Sequence, residues 1–154
     1  MQDGGKLMSR TAAIVVTIVM TFVSLSTAYG QQVSTVGDLI GHGGKMLTKE
    51  EARKLFSGAT VSGFQGGRFP DTRFRNQIAP NGTVAGDAWH GDVWFTKISG
   101  TWSINDAGQF CQDLRNDQGG KIVGCFFYYS IGNLFYSAQS MDLSTPVYAR
   151  QFVH

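Results

Sequence analysis

The hydrophobic and polar positions of this chain change period twice. Residues 11–25 form an apolar run broken only by Thr and Ser, with Lys6 and Arg10 before it and the small residues Ala28 and Gly30 after it. A basic start, a short apolar stretch and small residues at the −3 and −1 positions predict a secretory signal peptide over 1–30, cut before Gln31. The run is short for a bilayer span, which needs about 20 apolar residues, and no basic stop-transfer cluster follows it. No stable membrane span is therefore expected after cleavage, and with no cysteine at the cut there is no lipid attachment point. Residues 31–45 show no period and end in Gly41-His42-Gly43-Gly44, so they read as a flexible leader to a domain spanning 46–154.

From Thr48 the period is helical. Ala52, Leu55 and Phe56 share one face, while Lys49, Glu50, Arg53 and Lys54 take the other. Thr48 followed three residues later by Glu51 is a capping box, and Leu47 before the cap is placed to staple onto Ala52. Glu50 and Lys54 form an i,i+4 pair, and Gly58 stops the helix.

Beyond Gly58 the alternation becomes strand-like. Strands are expected over 59–64, 73–79, 83–88, 93–98, 101–104, 109–115, 121–130, 134–140 and 147–153. Between them lie a loop at 65–72, a link at 89–92 and turns at 80–82, 105–108, 116–120 and 132–133. Asn81-Gly82 is the strongest of the turn signals. No connecting segment is long and helical enough for a parallel crossover. The pattern predicts a mainly β domain, a small antiparallel barrel or sandwich of about eight strands with one N-terminal helix.

Composition agrees with this reading. At 42% hydrophobic and 16% charged residues the chain is apolar enough to fold. Its 20 glycines, 11 Phe, 5 Tyr and 3 Trp suit short strands and tight turns. The formal charge is +2, and removing 1–30 takes away Lys6, Arg10 and Asp3 to leave +1. With no concentrated basic face, nucleic acid is not an expected partner. Cys111 and Cys125 both lie beyond the leader, and an even pair in an exported chain reads as a disulfide. They are symmetric about Gln118, the middle of the 116–120 turn, and so should face each other across a hairpin at bonding distance.

Candidate chemistry is sparse. Asp87, His90 and Asp92 lie close together, and His90 with Asp92 would give two hard ligands on one face of an extended stretch, but with no partner histidine in sight this reads as a polar loop, and no metal site or cofactor is expected. His42 between glycines reads as solvated. No serine lies in a Gly-x-Ser-x-Gly elbow, and a bonded cysteine pair leaves no thiol nucleophile. Arg68, Arg73 and Arg75, with Phe69 and Phe74 between them, could receive an anion or an acidic partner, though a solvated strand face explains them as well. The aromatic set Trp94, Trp102, Phe127, Tyr129 and Tyr136 is the candidate for lining a ligand cavity. A small barrel is either filled or holds one small ligand.

The order of elements resembles small secreted bacterial domains of unknown function. In these a capped helix leading into L-F-S-G-x-T-V-x-G precedes a meander with D/N-G-T-V, G-T-W and a cysteine pair. The matching residues here are 55–63, 81–84, 100–102, Cys111 and Cys125. The resemblance implies a lipocalin-like or related small barrel and a bacterial envelope origin, and implies no activity. The expected function is a non-enzymatic binding module, periplasmic or secreted, for a small apolar ligand or a protein partner. The alternatives are an inhibitor or envelope-interaction protein acting through a surface loop and, third, a small hydrolase.

Overall fold

The computed structural model describes residues 33–66 and 69–154, apart from the side chain of Phe69. The leader peptide expected over 1–30, and Arg68, lie outside the described residues. In chain order the elements are α1 (Val36–Gly41), β1 (Lys45–Met46), α2 (Lys49–Phe56), β2 (Thr60–Gly66), β3 (Phe69–Ile78), β4 (Thr83–His90), β5 (Val93–Ile104), β6 (Phe110–Asn116), β7 (Lys121–Ile131), β8 (Leu134–Ala138) and β9 (Val147–Val153). None of the described helices is long and apolar enough to cross a membrane.

Eight strands close into an antiparallel barrel in the order β7-β6-β5-β4-β3-β2-β9-β8, with β8 returning to β7. β7 runs on past Phe126, its last residue opposite β6, and β1 covers that free edge by pairing Met46 with Tyr129. Side chains alternate in and out as the pleat requires. On β3, Thr72, Asn76 and Ile78 are buried while Arg73, Arg75 and Gln77 are exposed.

The capped helix plugs one end of the barrel. Phe56, 1% exposed, stacks on Phe110 at 4.0 Å and meets Tyr128 and Phe152 edge-on at 4.7 and 5.2 Å. Trp102 completes the cluster, its Nε1 donating to Ala79 O at 2.8 Å. The helix is held by its capping box: Glu51 N donates to Thr48 Oγ1 at 3.2 Å, and Thr48 N donates to Glu51 Oε2 at 2.8 Å. Lys49 Nζ reaches Asp106 Oδ1 at 2.6 Å, tying the helix to the β5–β6 turn, and this bond lowers the Asp106 pKa. Thr48→Ala removes one acceptor of the box and should cost roughly 1 kcal/mol in chemical denaturation. A wild-type midpoint would show that tertiary packing alone holds the first turn.

Four expectations need correction. The segment 31–45, read as a flexible leader, contains α1. Thr35 caps it with Asp38 in a second capping box, and bonds from Ser34 and Thr35 hold the Asp38 pKa down at about 2. Val36 and Leu39, both 0% exposed, pack on Tyr129, Ala138 and Val147, so tertiary burial stabilises a helix too short to persist alone. The stretch 93–104 is one strand and not two, because Gly100 lets the backbones close: a Cβ there would lie 2.1 Å from Asp113 O. The loop at 65–72 is much shorter than expected, since β2 reaches Gly66 and β3 begins at Phe69. Leu55 is partly buried and packs at the margin of the core.

Candidate functional site

The sequence-predicted residues fall in four places. Trp102 is part of the filled, plugged end. Phe127, Tyr129 and Tyr136 come together, but on the outer surface of β7 and β8 beneath α1, where they form a second small core. Cys111 and Cys125 face each other across the β6–β7 hairpin with Cα atoms 4.0 Å apart and are bonded. Trp94 lies at the barrel end opposite the plug, and the structure brings it to Arg73.

That second grouping follows from register. Phe64 pairs with Arg73, Arg73 with Trp89, and Trp89 with Trp94, so four side chains form one outward row across β2, β3, β4 and β5. A bulge at Ala88/Trp89 sets the last step of this row. Arg73 is anchored within it, Nη2 donating to Gly91 O at 2.6 Å and to Asp92 Oδ1 at 2.7 Å. Trp94 Nε1 donates to Asp87 Oδ1 at 3.2 Å. The next row places Arg75 opposite Asp87 and Asp87 opposite Lys97, alternating in sign.

The β4–β5 hairpin carries this end beyond its neighbour β6. β6 pairs with β5 only as far as Ile98↔Asn116, so residues 93–97 run on past it. The β6–β7 turn braces the extension from the side: Gln118 Nε2 donates to Phe95 O at 3.2 Å, and Thr96 Oγ1 donates to Asp117. On the extension Val93 is 73% exposed, Trp94 49% and Phe95 45%, with Phe64 at 53% on the neighbouring hairpin. Asp87, His90 and Asp92 all belong to this end, but Asp92 is engaged by Arg73. Among the described residues no three His, Cys, Asp or Glu side chains stand close enough to hold a metal ion.

A second polar grouping, missed in the sequence, lies inside the barrel wall around Arg150. Position 150 shares the inward parity of Phe152 on β9, and that alternation was the signal that could have found it. The guanidinium crosses over Gly63, where a Cβ would stand 2.9 Å from Nη1, and rests against the rings of Phe74 and Tyr148 at 5.2 and 5.7 Å. Gly66 is required beside it both for its φ of 74° and because a Cβ would overlap the Tyr148 ring. Burial lowers the Arg150 pKa, against the opposing pull of the Tyr128 and Tyr148 phenols. Burial raises the Tyr128 pKa, although Arg150 and Ser137 favour its ionised form.

Comparison with protein-family models, with curated proteins and with solved structures finds no match for this chain.

Proposed function

We propose that the protein is an exported, non-enzymatic binding module, periplasmic or secreted, that docks a protein partner through the hairpin end of its barrel. The observation that carries this reading is the outward row Phe64, Arg73, Trp89 and Trp94, extended at its tip by exposed Val93 and Phe95. Large aromatics and arginine are the residue types that dominate binding energy at protein interfaces. Isolated exposed apolar residues mean little, but a contiguous group on a projecting ribbon marks an interaction surface. The row is also preorganised, since Arg73 and Trp94 are each held by a hydrogen bond before any partner arrives.

Some groups that could do chemistry already have partners. Asp106 is bonded to Lys49, Asp92 to Arg73, and the two cysteines to each other. The disulfide is compatible with an oxidising compartment.

The test is capture from the envelope fraction of the source cells on immobilised protein, read by mass spectrometry. Wild type should retain a specific protein, and Phe64→Ser with Trp94→Ser should lose it by at least tenfold, since each anchor is worth about 2 kcal/mol or more at an interface. Both positions are exposed, so the melting temperature should stay within a few degrees of wild type. Equal retention by the variant, or recovery only of a small molecule from the barrel, would defeat the reading.

A further inference from the structure

The wall of the barrel is unlaced at one place. The β2–β9 ladder ends at Gly63↔Arg150, although β2 continues to Gly66 and β9 begins at Val147. Residues 64–66 and 147–149 therefore flank a gap in the ladder, which the Tyr148 ring against Gly66 and the Arg150 guanidinium between Phe64 O and Ala149 O fill.

Arg150 satisfies part of its bonding there. Nη1 donates to Phe64 O at 2.8 Å and to Ala149 O at 2.9 Å. Nε and Nη2 carry three further donors. The ion pairs found among the described residues, Lys49–Asp106 and Arg73–Asp92, both lie at the surface and do not involve Arg150. Around the guanidinium are two aromatic rings, two carbonyls and the Tyr128 hydroxyl, which supply partial charge and no full counter-charge. Arg150 is only partly exposed, and a cation partly withdrawn from water with no anion beside it is stabilised when one is supplied.

Next to this cation is a second deficit. Ser137 lies between Tyr128 and Tyr148 in the strand register, is 1% exposed, and its Oγ approaches the Tyr128 hydroxyl without forming a well-aligned hydrogen bond. The Tyr128 hydroxyl faces both Arg150 and Ser137. One cation and two hydroxyls thus converge on one spot behind the gap. A ligand that answers all three is negatively charged and offers several acceptor lone pairs. A planar guanidinium fork matches the two oxygens of a carboxylate, where a spherical ion takes only one direction.

We propose that Arg150, Tyr128 and Ser137 form a seat for one small carboxylate, approached from solvent where Arg150 is partly exposed. The space toward α2 is filled by Phe56, Phe110 and Phe152, so the seat takes a short acid with its head inward. This site shares only the Phe64 backbone with the outward aromatic row, whose side chains it does not use, and it stands or falls independently of that row.

The test is a titration of the 15N-labelled full chain with sodium propionate, and with sodium chloride at matched ionic strength, following the Arg150 Nε–Hε resonance. Propionate should give a saturable shift and chloride none. Ser137→Ala should weaken propionate about tenfold by removing one hydrogen bond to a charged group. The same change should leave the melting temperature unchanged or raised, because it deletes a buried hydroxyl without a well-aligned hydrogen bond. Arg150→Gln should abolish binding, but Arg150 also bonds Phe64 O, so Ser137→Ala carries the decision. An Arg150 resonance that propionate does not move, an equal shift with chloride, or wild-type affinity in Ser137→Ala would each overturn the proposal.

Discussion

Phe56→Ala should destabilise the protein by about 3–5 kcal/mol, the range for truncating a buried aromatic. Phe56 is the only ring that α2 sends into the barrel end, and it touches four aromatic partners. Removing it takes away the transfer energy of the ring and the geometry of its contacts with Phe110, Tyr128 and Phe152, and leaves a cavity that the rigid wall cannot close. The wall cannot follow because β6, which carries Phe110, is laced on both sides, and α2 cannot advance because Lys49–Asp106 and the capping box fix its start. A domain of this size holds about 5–15 kcal/mol in total, so the loss is a large share of it. The melting temperature should fall by roughly 10–20 °C. Lys54→Ala, on the exposed face of the same helix, should stay within about 0.5 kcal/mol of wild type. Equal effects of the two changes would mean that α2 does not plug the barrel.

That plug was legible in the sequence because its signals are local. The Thr48–Glu51 box, the apolar positions 52, 55 and 56 and the stop at Gly58 all lie within one short window. The same holds for the Asn81-Gly82 turn, and for strand β9, which Pro146 opens and whose expected bounds are those found, Val147–Val153. What escaped the sequence depends on distant partners. α1 carries few apolar residues, with Gly37 and Gly41 inside it, and is held by contacts to Tyr129, Ala138 and Val147 that no local pattern displays. β5 was split at Gly100 because a glycine within a strand pattern reads as a boundary, whereas here it admits the approach of Asp113 from β6.

The candidate sites show the same division. Trp94 and Arg73 were each singled out, but for different roles, and only the strand register shows that they share a row with Phe64 and Trp89. Conversely, Phe127, Tyr129 and Tyr136 form a group as expected, yet α1 covers it. Consecutive aromatics place rings on both faces of β7, and the sequence does not say which face is lined by a neighbour. Here both are. Phe126 and Tyr128 pack inside the barrel, while Phe127 and Tyr129 pack beneath α1, so the richest aromatic stretch is spent on two cores.

Changing Cys111 and Cys125 together to Ser should lower stability by roughly 3 kcal/mol, because the bond closes a loop of about 15 residues that the unfolded chain would otherwise explore. The sequence separation of 14 fixes that loop, and the paired register Cys111↔Cys125 means that the folded hairpin needs no rearrangement when the bond is lost. The native effect should be small for a further reason. β6 is laced to β5 by seven register pairs from Ile98↔Asn116 to Ile104↔Phe110, and the cysteines sit on the outer face, away from the Phe56 cluster. The loss should therefore appear in the unfolding equilibrium and leave the fold intact. Amide chemical shifts should change only near residues 111 and 125, while the melting temperature drops by about 10 °C. Partner capture by the hairpin end and propionate binding at Arg150 should be retained, since neither site includes the bond. If the serine variant lost either activity at a temperature where it is folded, the disulfide would have a role beyond clamping the hairpin. If instead its stability matched wild type, the ladder alone would account for the order of the β6–β7 hairpin in both states.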